Sequence, residues 1–213
     1  MINIGNVFIL GDSYSTFKGY IPDGYAAYYS ENPVDGMDVV KVEETWWHSL
    51  LCATQSNLLL NCSYSGTTIC HTGYNGSDCK NISFAARVDK LISEGYFEQN
   101  NVDTFLLFGG TNDTWANSPL GELKLSDWST EELYNVLPAL GYLFHRISEK
   151  VKAKRVVCIV NTGLKAEIAQ TMKELCQKHG FICTELCDIN KINGHPNVLG
   201  MSQIKEQVLK SLS

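Results

Sequence analysis

The chain has 213 residues, 44% of them hydrophobic and 19% charged, with 23 acidic against 17 basic side chains and a net charge of -6. That size suits one α/β domain with a full core, here read as a single domain over residues 1–213. The acidic balance disfavours nucleic acid and anionic membrane surfaces as partners, because both need a basic face. No apolar run reaches the length of about 18 residues that a membrane span requires.

The N-terminal stretch MINIGNVFILGDS enters directly into a strand pattern with no basic leader, so the expected location is the cytoplasm. The first apolar run, Val7 to Leu10, predicts a buried strand that ends in Gly11-Asp12-Ser13. Residues 20–38, YIPDGYAAYYSENPVDGMD, are rich in Tyr and aperiodic, and read as a long functional loop over the site. Glu43 to Gln55 sets Trp46, Trp47, Leu50 and Leu51 at helical spacing. Leu58 to Cys62 predicts the second strand, followed by SYSGTT. Phe84 to Ile92 is an amphipathic helix. Thr104 to Phe108 predicts the third strand and runs into GGTND, residues 109–113. Ser129 to Glu149 predicts a helix opened by the capping-box pair Ser129 and Glu132. Val156 to Val160 is the fourth strand, Ala166 to His179 a helix closed by Gly180, and Phe181 to Thr184 the fifth strand. Asn197 to Leu212 places Ile204, Val208 and Leu212 on one face of a last helix.

The strand runs are continuously apolar, as in parallel strands buried on both faces. Strands alternating with helices imply βαβ units and a three-layer α/β/α sandwich around a parallel five-stranded sheet. Eight cysteines are present. Cys52, Cys62, Cys158, Cys176 and Cys183 read as buried free thiols. Cys70 and Cys79 flank the loop CHTGYNGSDC and could pair in an exported protein. No C-x-x-C occurs, and no His/Asp/Glu cluster has ligand spacing, so neither a metal nor any other cofactor is expected. Sequons at Asn61, Asn75, Asn81 and Asn112 read as chance.

In such sheets the site lies beyond the carboxyl ends of the strands. The residues found there are Ser13 after the first strand, Gly66 after the second, Asn112 within Gly110-Thr111-Asn112-Asp113 after the third, and His195 in NGHPNVLGM before the last helix. Taken alone, Ser13 is a turn or N-cap serine, and His195 is a surface histidine. In this order the four blocks resemble the SGNH or GDSL hydrolases, a branch of esterases and lipases, over residues 6 to about 208. The resemblance implies a flavodoxin-like sheet and acyl transfer. Ser13 would be the nucleophile and His195 its base. The amides of Ser13 and Gly66 and the side chain of Asn112 would form the oxyanion hole. A helix after Ser13 is expected to add its dipole.

The family's Asp, three residues before its His, is Ile192 here. Asp188, the side-chain oxygen of Asn190 and a backbone carbonyl are alternative partners for the second nitrogen of His195, and a Ser–His dyad is another solution. Trp115 and Trp128 bracket a loop after Asn112 and could wall an acyl or sugar group, or simply pack it. The expected substrate is a small-molecule or carbohydrate ester, a short-chain carboxylic ester or a carbohydrate O-acetate. The rival reading is a non-catalytic carbohydrate-binding protein on the same fold, for which Ile192 is the best support. A flavodoxin-like nucleotide binder fits less well, since Asp12 would repel phosphate at the first turn. The oligomeric state is not legible.

Overall fold

Five parallel strands lie in the order β2-β1-β3-β4-β5: β1 (Asn6–Gly11), β2 (Asn57–Ser63), β3 (Thr104–Phe108), β4 (Arg155–Val160) and β5 (Ile182–Glu185). The structure, a computed structural model, describes residues 2–33 and 36–212. Val34 and Asp35, within the Tyr-rich segment, lie outside the described residues.

The apolar runs read as continuous because both faces of the sheet are covered. Phe8, Leu10, Phe105, Leu107, Val156 and Cys158 point to one face. There they meet α2 (Phe84–Ser93), α5 (Val136–Lys150) and α6 (Ala166–His179) through Val88, Leu140, Phe144 and Met172. Val7, Ile9, Leu106, Phe108, Val157 and Ile159 point to the other. There they meet α1 (Trp46–Thr54) and α7 (Val198–Ser211) through Trp46, Trp47, Leu50, Met201 and Ile204. Each such side chain contributes roughly 1.5–3 kcal/mol by leaving water. The result is the expected three-layer sandwich. Because β1 lies between β2 and β3, chains leaving β1 and β3 diverge to opposite faces and open a crevice at their carboxyl ends.

Three expectations change in detail. The helix expected from Ser129 begins at Val136. The capping box forms, with Ser129 N–H donating to Glu132 Oε2 at 2.7 Å, but it closes a 3-10 turn at Glu132–Tyr134. Asn135 is then extended, and the first helical amides, Val136 and Leu137, donate to the carbonyls of Pro119 and Leu120. Those partners satisfy the donors, so the helix needs no side-chain cap there. Glu43 to Gln55 likewise splits into a 3-10 turn at Val42–Glu44 and α1, with Thr45 as the N-cap between them. Third, Cys52 and Cys183 are exposed rather than buried. All eight cysteines are free, Cys70 and Cys79 among them.

Two further helices, α3 (Tyr96–Gln99) and α4 (Thr111–Trp115), and a hairpin of β6 (Lys191–Ile192) with β7 (His195–Pro196) complete the regular elements used below.

Candidate active site

β1 delivers Gly11-Asp12-Ser13 to the crevice. No helix follows. Ser13–Ser15 form a single 3-10 turn, capped by Asp12 Oδ1 accepting from Tyr14 N–H at 3.1 Å, and Thr16 is extended. The dipole expected behind Ser13 is therefore absent, and what the turn supplies is local amide geometry. It is fixed from outside by Asn61 Nδ2, which donates to the Ser15 carbonyl at 2.8 Å, and by Trp46 Nε1, which donates to Ser15 Oγ at 3.3 Å.

His195 comes from the other end of the chain. Its Nε2 lies 3.0 Å from Ser13 Oγ. The hairpin that carries it closes on the two-residue turn Asn193-Gly194, both with positive φ (49° and 81°), as a type I′ turn requires. Gly194 is needed twice, because a Cβ there would also come within 3.1 Å of the Trp115 ring. The turn brings the Asn193 carbonyl to 3.4 Å from His195 Nδ1. A carbonyl only accepts, so Nδ1 carries the proton and Nε2 is left to accept from Ser13. Burial pulls the imidazole below its usual 6.5, opposed by the Asn193 carbonyl and assisted by the Lys191 cation. The ring is therefore neutral near pH 7, as a base must be.

Neither side-chain alternative for Nδ1 is realised. Asp188 stands exposed on a left-handed turn residue (φ 53°), and none of the hydrogen bonds of His195 goes to it. The expected Ser13–His195–Asp188 triad is thus not assembled, because the chain between Asp188 and His195 is spent on the hairpin. Asn190 Oδ1 instead accepts from Asn197 Nδ2 at 2.6 Å. Ile192 sits directly across the hairpin from His195 and packs on the apolar layer beneath it.

The other two blocks converge on the same crevice. Asn112, in the first turn of α4, is buried. Its Nδ2 donates to the Thr67 carbonyl at 3.0 Å, and its Oδ1 accepts from Tyr74 Oη at 2.7 Å. One Nδ2 hydrogen remains for a ligand. Gly66, exposed and at φ 79°, turns the chain just before Thr67. Among the described residues, no protein group accepts from the N–H of Ser13 or Gly66. Two open amides and half of a carboxamide are what an oxyanion needs.

Beneath these loops lies a buried charged group with no signature in the sequence. The Arg87 guanidinium donates to the carbonyls of Gly11, Cys62 and Ile82 and to Thr67 Oγ1, tying the ends of β1 and β2 to the loop that follows Gly66. It also packs 4.4 Å over the Phe84 ring. Two buried carboxyls share this layer. Burial raises Asp12 to about 7, with the Tyr14 amide opposing it and the Asp113 charge adding to it. Burial raises Asp113 to about 6, although it accepts from the amides of Ile69 and Cys70. Among the described residues, Asp12 Oδ2 has no hydrogen-bond partner.

Of the two tryptophans, Trp115 reaches the site: it is 43% exposed, with its ring 5.4 Å from that of His195. Trp128 does not. It packs on Tyr142 and His145 and donates to the Lys124 carbonyl. Arg87, Tyr74 and Tyr28 join the site without an individual signature in the sequence, Tyr28 stacked on His195. The Asn193-Gly194 dipeptide was the one available signal for the hairpin. Among the described residues, no three His, Cys, Asp or Glu side chains are grouped to hold a metal. No helix among them is long and apolar enough to cross a membrane.

A parallel α/β sheet with a serine and a histidine in contact at its carboxyl edge is an arrangement that acyl-transfer hydrolases use. The chain belongs to the GDSL-like lipase/acylhydrolase family, whose model matches residues 5–212. It is similar to the structure of a GDSL-like lipase from Bacteroides ovatus, at 40% identity and a TM-score of 0.90 over 97% of this chain and 96% of that one. A Bacteroides uniformis counterpart matches at 40% identity and a TM-score of 0.89, over 97% and 94%. A family two carbohydrate esterase from Clostridium thermocellum, an active-site mutant, shares the fold at 13% identity and a TM-score of 0.63, over 100% of this chain and 64% of that one. No curated protein matches the chain significantly.

Proposed function

We propose that this carboxylic ester hydrolase acts on short-chain esters, carbohydrate O-acetates foremost, through an acyl-enzyme on Ser13. The observation that carries the reading is the 3.0 Å contact between Ser13 Oγ and a neutral His195 Nε2 whose Nδ1 proton faces a carbonyl. His195 takes the Ser13 proton as Oγ attacks the ester carbonyl. The amides of Ser13 and Gly66 and the Asn112 carboxamide hold the oxyanion. His195 then protonates the leaving alcohol. Water, deprotonated by the same nitrogen, releases the carboxylic acid and restores Ser13.

The sugar preference draws support from Trp115, an exposed indole beside His195 of the kind sugar rings stack on. It draws support too from the carbohydrate esterase that shares the fold. The test is hydrolysis of p-nitrophenyl acetate, butyrate and octanoate, then of acetylated sugars, by wild type and Ser13→Ala. Turnover that falls with chain length and drops to background in the variant is expected. Retained turnover in Ser13→Ala overturns the mechanism, and a preference for octanoate overturns the short-chain assignment.

A second reading has one observation behind it: Ile192 stands where an acid is usual, so the fold could bind carbohydrate without hydrolysing it. A fluorophosphonate probe separates the two, labelling Ser13 only in an active enzyme.

A further inference from the structure

A carbonyl 3.4 Å from Nδ1 is a weak restraint on His195. The torsion that turns an imidazole about its Cβ–Cγ bond is intrinsically soft, with broad minima. Something else must keep Nε2 aimed at Ser13. Four aromatic rings surround His195. Tyr14, Tyr29 and Trp115 meet it at interplanar angles of 53°, 78° and 69°. Tyr28 alone among them lies flat on it, with ring centroids 3.6 Å apart and an interplanar angle of 9°.

We propose that Tyr28 is a positioning residue for His195, its stacked ring holding the base in line with Ser13 while Ile192 stands at the place of the family pattern's Asp. This rests on the ester-hydrolase reading above. A flat neighbour blocks the one rotation that the Nδ1 contact leaves soft, since turning the imidazole would drive its edge into the phenol. The aromatic face also favours the imidazolium that forms when Ser13 gives up its proton, so the contact strengthens as the reaction proceeds.

Tyr28 can do this because it is itself fixed to the nucleophile. Its N–H donates to Thr16 Oγ1 at 2.9 Å, and Thr16 Oγ1 donates to the Ser13 carbonyl at 2.9 Å. Nucleophile, threonine, tyrosine and base thus form a closed circuit. Flanking contacts hold the segment in place: Ser65 N–H donates to the Ala26 carbonyl, Lys18 N–H to the Tyr29 carbonyl, and Tyr29 Oη to the Pro196 carbonyl at 2.8 Å. Described residues of the Tyr-rich segment are therefore a strut against the base as well as a wall of the cleft.

The experiment compares wild type with Tyr28→Phe and Tyr28→Leu, by p-nitrophenyl acetate kinetics and by NMR of the His195 ring. Phenylalanine keeps the stacking face, whereas leucine fills the space without one. Tyr28→Leu is expected to lower kcat about tenfold or more, since small misplacements of a reacting group are costly, while KM stays within about threefold. Tyr28→Phe is expected to keep at least a third of wild-type kcat. The His195 ring protons are expected to carry the upfield ring-current shift of a stacked neighbour in wild type and Tyr28→Phe, and to lose it in Tyr28→Leu. Wild-type kcat in Tyr28→Leu, a phenylalanine variant as impaired as leucine, or a change confined to KM would each overturn the proposal. If wild type shows no Ser13-dependent turnover, the hydrolase reading fails, and the NMR arm still decides whether Tyr28 holds the ring.

Discussion

The Tyr74 hydroxyl donates to Oδ1 of Asn112, and so fixes which end of that carboxamide offers hydrogens to the crevice. With Oδ1 occupied and one Nδ2 hydrogen on the Thr67 carbonyl, the second Nδ2 hydrogen has a defined direction. Tyr74→Phe removes that restraint and nothing from the core, as Tyr74 is 40% exposed. Loss of a whole oxyanion donor costs about 100- to 1,000-fold in kcat, and loss of its orientation alone should cost about tenfold, with KM little changed. Steady-state kinetics on p-nitrophenyl acetate check this. An unchanged kcat would mean that the Thr67 carbonyl alone orients the amide.

Asp188 should be dispensable. In serine triads the acid is worth about 10,000-fold. Here the Nδ1 proton of His195 points at the Asn193 carbonyl and Asp188 faces solvent. Asparagine tolerates the left-handed backbone at this position. Asp188→Asn should therefore keep kcat/KM within about threefold of wild type. A loss of 100-fold or more would restore Asp188 as the third member of a triad.

The pH dependence has a definite sign. Burial disfavours the imidazolium of His195, so its proton leaves below the usual 6.5. The base is then already competent at neutral pH, and kcat/KM should rise along an acid limb centred below 6.5 and level off above it. Two neighbours titrate nearby, Asp113 at about 6 and Asp12 at about 7, both raised by burial. The pH–rate profiles of Asp12→Asn and Asp113→Asn beside wild type separate the sources. An acid limb unchanged in both variants belongs to His195, and a limb that disappears in one of them belongs to the carboxyl removed.

The sheet was legible because its physics is local. The central strands β1, β3 and β4 each contain a run of four or more apolar residues, and the longer helices repeat an apolar face within two turns. The blocks at Ser13, Gly66, Asn112 and His195 were legible because the topology puts all strand ends on one edge. The hairpin under His195 was not, because strands of two residues are too short to show alternation, and only Asn193-Gly194 marked it. The orienting group of His195 was illegible for a related reason: a backbone carbonyl carries no sequence signature. Arg87 looks like an ordinary surface cation on an amphipathic helix. Its burial depends on three carbonyls that converge only once the sheet has formed. The stack of Tyr28 on His195 joins residues from nearly opposite ends of the chain, which no local pattern records.

Ser13 and His195 stand 182 positions apart, and every strand of the sheet but the first is made between them. On the ribosome the serine emerges well before its histidine. Contacts of such high sequence separation close late, after the loop entropy between them has been lost. The hydroxyl therefore has no base beside it until the hairpin and α7 dock on a finished sheet. Hydrolysis becomes a report on completed folding: in a refolding experiment, turnover should return with the last kinetic phase, behind the recovery of helix and sheet signals.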